Sequence, residues 1–199
     1  SEIRRRVDTG AKEVLLLGQT VNSYDQSHQG KAVRFPDLLR LVDAVSGLER
    51  VRFMSPHPYY LDQRMIDAMA QCKTVCENLH MPVQSGSDRV LKLMRRNYTS
   101  ESYLRRLEEL KKAVPSIVLS TDIIVGFPTE TEEDFQDTFS LMREVQFEKS
   151  YIFKYSPRPH TKASQLTDDV PKEIKEKRHK TLLDFQKKVS LGKDVSLAQ

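Results

Sequence analysis

An α/β fold on a parallel sheet is what this sequence predicts, and three observations carry that prediction. Five short apolar runs recur along the chain: EVLLLG (13–18), RVRFMS (50–55), ENLHMPV (77–83), VLSTDIIVG (118–126) and KSYIFKYS (149–156). They are largely continuous rather than alternating, as strands covered on both faces tend to be. Helical patterns fill the gaps between them, and strands alternating with helices imply right-handed crossovers. Third, every run ends in a cluster of small polar residues, at the end of the strand where parallel α/β folds bind ligands.

The helices follow in order. The chain opens inside one (EIRRRVDTG) with no preceding strand, which reads as a fragment cut after a first βα unit. FPDLLRLVDAVSG (35–47) puts Leu38, Leu41, Val42 and Val45 on one side and stops at Gly47, a C′ candidate. DQRMIDAMAQC (62–72) follows the second strand, and DRVLKLMRR (88–96) and ESYLRRLEELKKA (101–113) follow the third. TETEEDFQDTFSLMREV (129–145) has Thr131 as N-cap, acids in its first turn, and Phe135, Phe139 and Met142 at helical spacing. Val14–Leu17 would have an unpaired edge and a tendency to associate or to be covered.

With 199 residues, 38% hydrophobic and 30% charged, the chain is one globular domain or a large piece of one. No apolar run approaches the roughly 18 residues that cross a bilayer. The charged opening SEIRRRVDTGAKE has no signal-peptide character. Two cysteines fit a reducing, cytoplasmic setting. Their spacing, Cys72 and Cys76, hints at metal, but no third Cys or His follows usefully, so they read as structural. The net charge of +4 is mildly basic. Residues 171–193 hold eight Lys/Arg against three Asp/Glu, either a solvated helix face or a nucleic-acid contact. We divide the chain into residues 1–170 and a basic C-terminal helix over 171–199.

The polar clusters supply the candidate site residues. The first run ends Gly18-Gln19-Thr20-Val21-Asn22-Ser23-Tyr24, the second Ser55-Pro56-His57-Pro58. The third ends Gln84-Ser85-Gly86-Ser87, the fourth contains Asp122 and ends Gly126-Phe127-Pro128, and the fifth ends Tyr155-Ser156-Pro157-Arg158-Pro159. Five on one rim make a ligand site the better reading. Ser87 and Asp88 are explained by helix capping, which leaves Gln84 unexplained. His57 is either a rigid-loop histidine or a ligand contact. Asp122, inside an apolar strand, is either a satisfied core acid or an acceptor for ligand hydroxyls. Arg158 could pair with a surface acid, and Tyr155 could belong to the core.

LLLGQTVNSY, RFMSPHP, HMPVQSGSDRVLKLMRRNYT, STDIIVGFPTETEEDF and YSPRPHTKA together resemble, in order and spacing, the radical S-adenosylmethionine (SAM) methylthiotransferases, most closely the tRNA-modifying branch. The resemblance runs from about residue 10 to 190. It implies a partial (β/α) TIM-like barrel of the radical SAM type, of which this chain supplies strands two to six. In the family a CxxxCxxC loop on the first strand holds one [4Fe–4S] cluster, an N-terminal domain holds a second, and an RNA-binding TRAM domain follows the barrel. The CxxxCxxC is absent here, so the isolated chain is expected to be inactive, with the cluster ligands outside it.

The family pattern assigns SAM binding to Gln84, Ser85, Arg96, Asp122 and Gly126. Arg96 would take the SAM carboxylate, Asp122 the ribose hydroxyls, and the Gln84 amide would donate and accept. Gly126 and neighbouring strand backbone would line the adenine. Gln19, Asn22, Tyr24, His57, Tyr155 and Arg158 are expected around the substrate or the auxiliary cluster, with Tyr24 a candidate for stacking on a base. Three residues depart from the family text: Thr20 for Asn, and Thr129 and His160 for Gly, where glycine would permit a positive φ.

The implied reaction uses one SAM to methylate sulfur on the auxiliary cluster. A second is cleaved to a 5′-deoxyadenosyl radical that abstracts hydrogen from C2 of N6-isopentenyladenosine in tRNA before methylthio insertion. Expected partners are tRNA, SAM and an electron donor, with no membrane. The alternatives are the branch that modifies an aspartate of a ribosomal protein, the branch acting on N6-threonylcarbamoyladenosine, and a non-catalytic RNA-binding scaffold. An unrelated phosphate-binding barrel ranks last, because the chain lacks a Gly-rich phosphate loop.

Overall fold

The computed structural model describes residues 2–28, 30–158, 161 and 163–197. Pro159 and His160 lie outside the described residues. The chain divides into two compact units, residues 1–81 with 106–118 and residues 82–105 with 119–199.

The first unit contains α1 (Glu2–Asp8), β1 (Glu13–Leu16), β2 (Asp25–His28), β3 (Lys31–Arg34), α2 (Phe35–Asp43), β4 (Arg50–Phe53), α3 (Gln63–Gln71) and β5 (Asn78–His80). β1 and β4 are parallel, with Val14 opposite Val51 and Leu16 opposite Phe53. Among the described residues β1 has β4 as its one strand partner, so the edge expected to be unpaired has no strand on it.

The antiparallel hairpin β2–β3 was not expected. Its sequence, DQSHQGKAVR, is almost wholly polar. Among its described side chains only Val33 reaches the core, so no apolar alternation announces it, although Gly30 (φ 75°) marks the turn.

The hairpin also corrects the phase of α2. It delivers Phe35 and Pro36 directly into the core at the helix start, and from there Leu39 and Val42 follow on the same face. Leu41, expected inward, is 55% exposed. The helix stops at Asp43, and Gly47 (φ 90°) serves the next turn instead of capping it.

The second unit contains α4 (Asp88–Leu93), β6 (Val118–Val125) from Leu119 onward, α6 (Glu132–Val145), β7 (Lys149–Lys154) and α7 (Lys172–Leu197). Between the helices named so far, α5 (Ser100–Ala113) begins in this unit and ends in the first. β6 and β7 are parallel, with Asp122 opposite Tyr151 and Ile124 opposite Phe153. β6 does alternate: Leu119, Thr121, Ile123 and Val125 are buried, while Ser120, Asp122 and Ile124 form a half-buried face.

Thr131 caps α6 as expected, in a capping box with Asp134. Phe135 and Met142 are core, and Phe139 packs edge-on against Phe185. α7 lies along β7: Gln186 Nε2 donates to the Phe147 carbonyl (3.0 Å), and His179 Nε2 to that of Ile152 (2.9 Å). Residue 170, the expected junction, lies inside this unit.

Two of the basic side chains in 171–193 turn inward. Lys175 is buried against Asp168 (2.5 and 2.7 Å), and Arg178 against Glu130 (2.8 Å). The basic stretch is therefore less available to a partner than its composition suggests.

Candidate active site

The QSGS turn after the third apolar run is built almost entirely for internal use. Ser85 is fully buried, its hydroxyl 3.2 Å from that of Thr138. The Gly86 N–H donates to the same Thr138 oxygen (2.9 Å). Gly86 cannot carry a side chain, because a Cβ there would lie 2.5 Å from the Asp137 carbonyl and 2.6 Å from Thr138 Cα, both backbone atoms of α6. Ser87 caps α4 and donates to Asp134 Oδ1 (2.5 Å). Burial alone would raise the Asp134 carboxyl, but hydrogen bonds from Arg89, Ser87 and Thr131 outweigh it and hold that carboxyl well below the usual range.

Gln84 differs from its three neighbours. Its backbone bridges β6, with its N–H on the Asp122 carbonyl (2.9 Å) and its own carbonyl accepting from the Ile124 N–H (2.9 Å). It sits at φ 71°, left-handed for a non-glycine residue. Its side chain lines an open cleft of about 710 Å³, together with Met94, Arg96, Asp122, Ile124 and Phe127 from this side of the unit. β7 and the segment after it supply Phe153, Lys154, Tyr155, Ser156 and Arg158. Such a strained residue at a cleft is characteristic of a functional position. We expect Gln84→Gly to be more stable than Gln84→Ala by about 1 kcal/mol, since only alanine keeps the left-handed penalty. Denaturant unfolding of the two variants checks this.

Arg96 reaches the cleft through a helix C-cap. Arg95 takes φ 58°, its N–H donates to the Lys92 carbonyl (3.0 Å), and the Arg96 N–H donates to that of Leu91 (2.9 Å). This is a Schellman arrangement with arginine in the usual glycine position. It fixes the direction in which the chain leaves α4. Tyr98 secures the same segment by donating to the Val83 carbonyl (2.9 Å), and burial pushes its hydroxyl up to about 12.

Tyr155 is a fixed wall. Its hydroxyl donates to the Ala163 carbonyl (3.1 Å), and its ring meets Phe127 edge-on, with Lys175 Nζ 5.4 Å from the centroid. Gly126 is not a lining residue. It turns the chain at φ 71°, donates its N–H to Glu130 (2.8 Å) and leaves room for the Lys175 stem, which a Cβ would meet at 2.3 Å. Ser85 likewise serves the turn, not the cleft. Thr129, where a glycine was expected, does adopt the left-handed conformation (φ 68°). Its N–H binds Asp169 (2.7 Å), and its hydroxyl and carbonyl accept from Arg89. Thr20, at φ −142°, needs no special freedom.

In the first unit, Asn22 is committed to the scaffold. Its Oδ1 accepts from the His57 N–H (2.8 Å) and its Nδ2 donates to the His57 carbonyl (3.0 Å), a two-way clamp between the ends of β1 and β4. His57 Nδ1 accepts from the Tyr59 N–H (3.3 Å). Gln19 and Tyr24 are exposed. Asn22→Ala is expected to cost about 2–3 kcal/mol by leaving both His57 backbone groups without their partner. Asn22→Asp should cost no less, because it sets an acceptor against the His57 carbonyl. Thermal unfolding of both variants checks the order.

The sequence reading did not single out Lys154 or the apolar wall of Met94, Ile124 and Phe153. The signal lay in KSYIFK: Ser150 and Ile152 are buried, whereas Tyr151 (43% exposed) and Phe153 (52%) face outward. Large aromatics on the open side of an alternating strand mark a ligand-facing surface.

A cleft at the carboxyl ends of parallel strands, with one carboxylate, one amide and several cations, suits a zwitterionic nucleoside. The family model of the radical SAM superfamily matches residues 1–142. The chain belongs to that superfamily, and its parallel strands with flanking helices form part of the partial TIM-like barrel characteristic of it. Among curated proteins it is 50% identical over 184 residues to the tRNA-2-methylthio-N(6)-dimethylallyladenosine synthase of Finegoldia magna, covering 92% of this chain and 40% of that protein. Proteins of the same name from Nitratiruptor sp. and Corynebacterium diphtheriae are 49% and 47% identical, over 92% and 99% of this chain and 43% and 39% of theirs. The chain thus spans about two fifths of the length of these relatives.

The superfamily implies SAM and [4Fe–4S] chemistry. The cleft fits SAM: its volume lies within the usual range for ligand pockets, and Arg96, Asp122 and Gln84 match a carboxylate, a ribose diol and a group needing both donor and acceptor. A cluster has no such fit. Among the described residues no three His, Cys, Asp or Glu side chains group to hold metal, and burial pushes the Cys72 thiol up, away from thiolate. No helix among them is long and apolar enough to cross a membrane.

Proposed function

We propose that this chain is the SAM-binding core of a cytoplasmic tRNA methylthiotransferase, which places a methylthio group on C2 of N6-isopentenyladenosine. The gathering of Gln84, Arg96 and Asp122 in one cleft carries the reading, and the relatives' names supply the substrate. When bound, SAM would supply the hydrogen-abstracting chemistry, its C5′–S bond being cleaved by one electron from a donor outside this chain.

The residues of this chain orient and shield. Arg96 holds the carboxylate, fixed by the turn at Arg95. Asp122 accepts from the ribose hydroxyls, and Gln84 bridges polar groups between them. Met94, Ile124, Phe127 and Phe153 exclude water beside the nucleoside.

Mass spectrometry of tRNA nucleosides from source cells with and without the full-length gene tests the reading. Loss of the 2-methylthio group with accumulation of N6-isopentenyladenosine is the expected result. Unchanged tRNA overturns it and directs the search to a ribosomal-protein aspartate.

A further inference from the structure

The cleft holds more positive charge than SAM can use. Its lining carries three cations, Arg96, Lys154 and Arg158, against the single carboxylate of Asp122. SAM brings one carboxylate, assigned to Arg96, and its ribose engages Asp122. Two cations remain, both at the β7 side of the cleft, four residues apart in sequence. Among the described residues the ion pair of Lys154 is a long one, to Glu176 at 3.8 Å, with both side chains about half exposed. Such a pair is easily exchanged for a better anion. Arg158 is exposed and has no carboxylate partner among the described residues. Its carbonyl nevertheless accepts from the Thr161 hydroxyl (2.8 Å), and the Tyr155 hydroxyl donates to the Ala163 carbonyl (3.1 Å). Beside them Phe153 presents a half-exposed ring to the same cleft.

We infer that Lys154 and Arg158 form a phosphodiester-binding pair that takes the RNA backbone flanking the modified nucleotide. The inference rests on the tRNA reading above and deepens it. A fork-shaped guanidinium and a point-like ammonium at the mouth of a nucleoside cleft are the groups that recognise successive phosphates. They would set the register of the RNA, leaving the choice of base to the cleft.

Binding of a synthetic anticodon stem-loop RNA to the full-length protein, followed by fluorescence anisotropy between 50 and 200 mM salt, tests it. Lys154→Gln and Arg158→Gln should each weaken RNA binding about three- to tenfold at the lower salt. Each should also reduce the slope of log affinity against log salt by about one, as loss of one phosphate contact requires. SAM affinity of the same variants, measured by equilibrium dialysis, should change less than twofold. An unchanged salt slope in both variants, with the full-length protein binding RNA, overturns the pair and leaves the tRNA reading standing. A loss of SAM affinity in Arg158→Gln, with RNA binding intact, also overturns it and makes Arg158 a nucleoside contact. If the full-length protein binds no RNA, the reading and the inference fall together.

Discussion

Arg96→Met should weaken SAM binding by about 30- to 150-fold, the loss expected when a charge-assisted hydrogen bond to a carboxylate worth roughly 2–3 kcal/mol is removed. Methionine keeps much of the apolar stem, so the fold should be retained. Arg96→Lys should recover only part of the affinity, because an ammonium cannot reproduce the two-pronged geometry. Asp122→Asn provides an independent comparison, since it keeps the shape and weakens acceptance from the ribose hydroxyls. Isothermal titration with SAM and its decarboxylated analogue isolates the Arg96 contribution. The analogue should bind the parent and Arg96→Met about equally, and a large difference between them would place the carboxylate elsewhere.

Arg178→Ala should cost about 3–5 kcal/mol of stability, the range for breaking a buried ion pair from one side. It leaves Glu130, whose side chain is 1% exposed, with the Gly126 N–H but no counter-charge. Burial already raises the Glu130 carboxyl, partly offset by that N–H and by Arg178. Without the guanidinium it should rise further. The sign follows from linkage: a carboxyl with a higher pKa when folded binds more protons in the native state, so stability falls as pH rises through that value. The variant should therefore lose less stability at pH 5 than at pH 8. Urea unfolding at both values checks this, and the double variant Arg178→Met with Glu130→Gln should recover much of the loss. A single-variant cost below 1 kcal/mol would show that the pair is dispensable.

The parallel strands were legible because their runs are apolar and bounded by polar clusters. The family text named Gln84, Arg96 and Asp122, which the structure brings to one cleft. What escaped detection had physical reasons. Among its described side chains the β2–β3 hairpin buries one valine and so has almost no hydrophobic pattern. The phase of α2 is set by Phe35 entering from that hairpin, which a search for amphipathic spacing within 35–47 could not register. Asn22 looked like a ligand group because polar residues at strand ends often are. Its amide is instead consumed by the His57 backbone, a pairing 35 residues apart. Lys175 and Arg178 counted as surface charge in the sequence, although their partners Asp168 and Glu130 belong to segments before the helix.

The close approach of Gly86 to α6 joins the turn after the third apolar run to that helix. With hydrogen bonds from Gly86 and Ser87 onto Thr138 and Asp134, and no room for even a methyl group, the interface can neither slide nor open without breaking. The turn that carries Gln84 is thus braced by α6, and any side chain larger than hydrogen at position 86 should disturb the turn and the helix together.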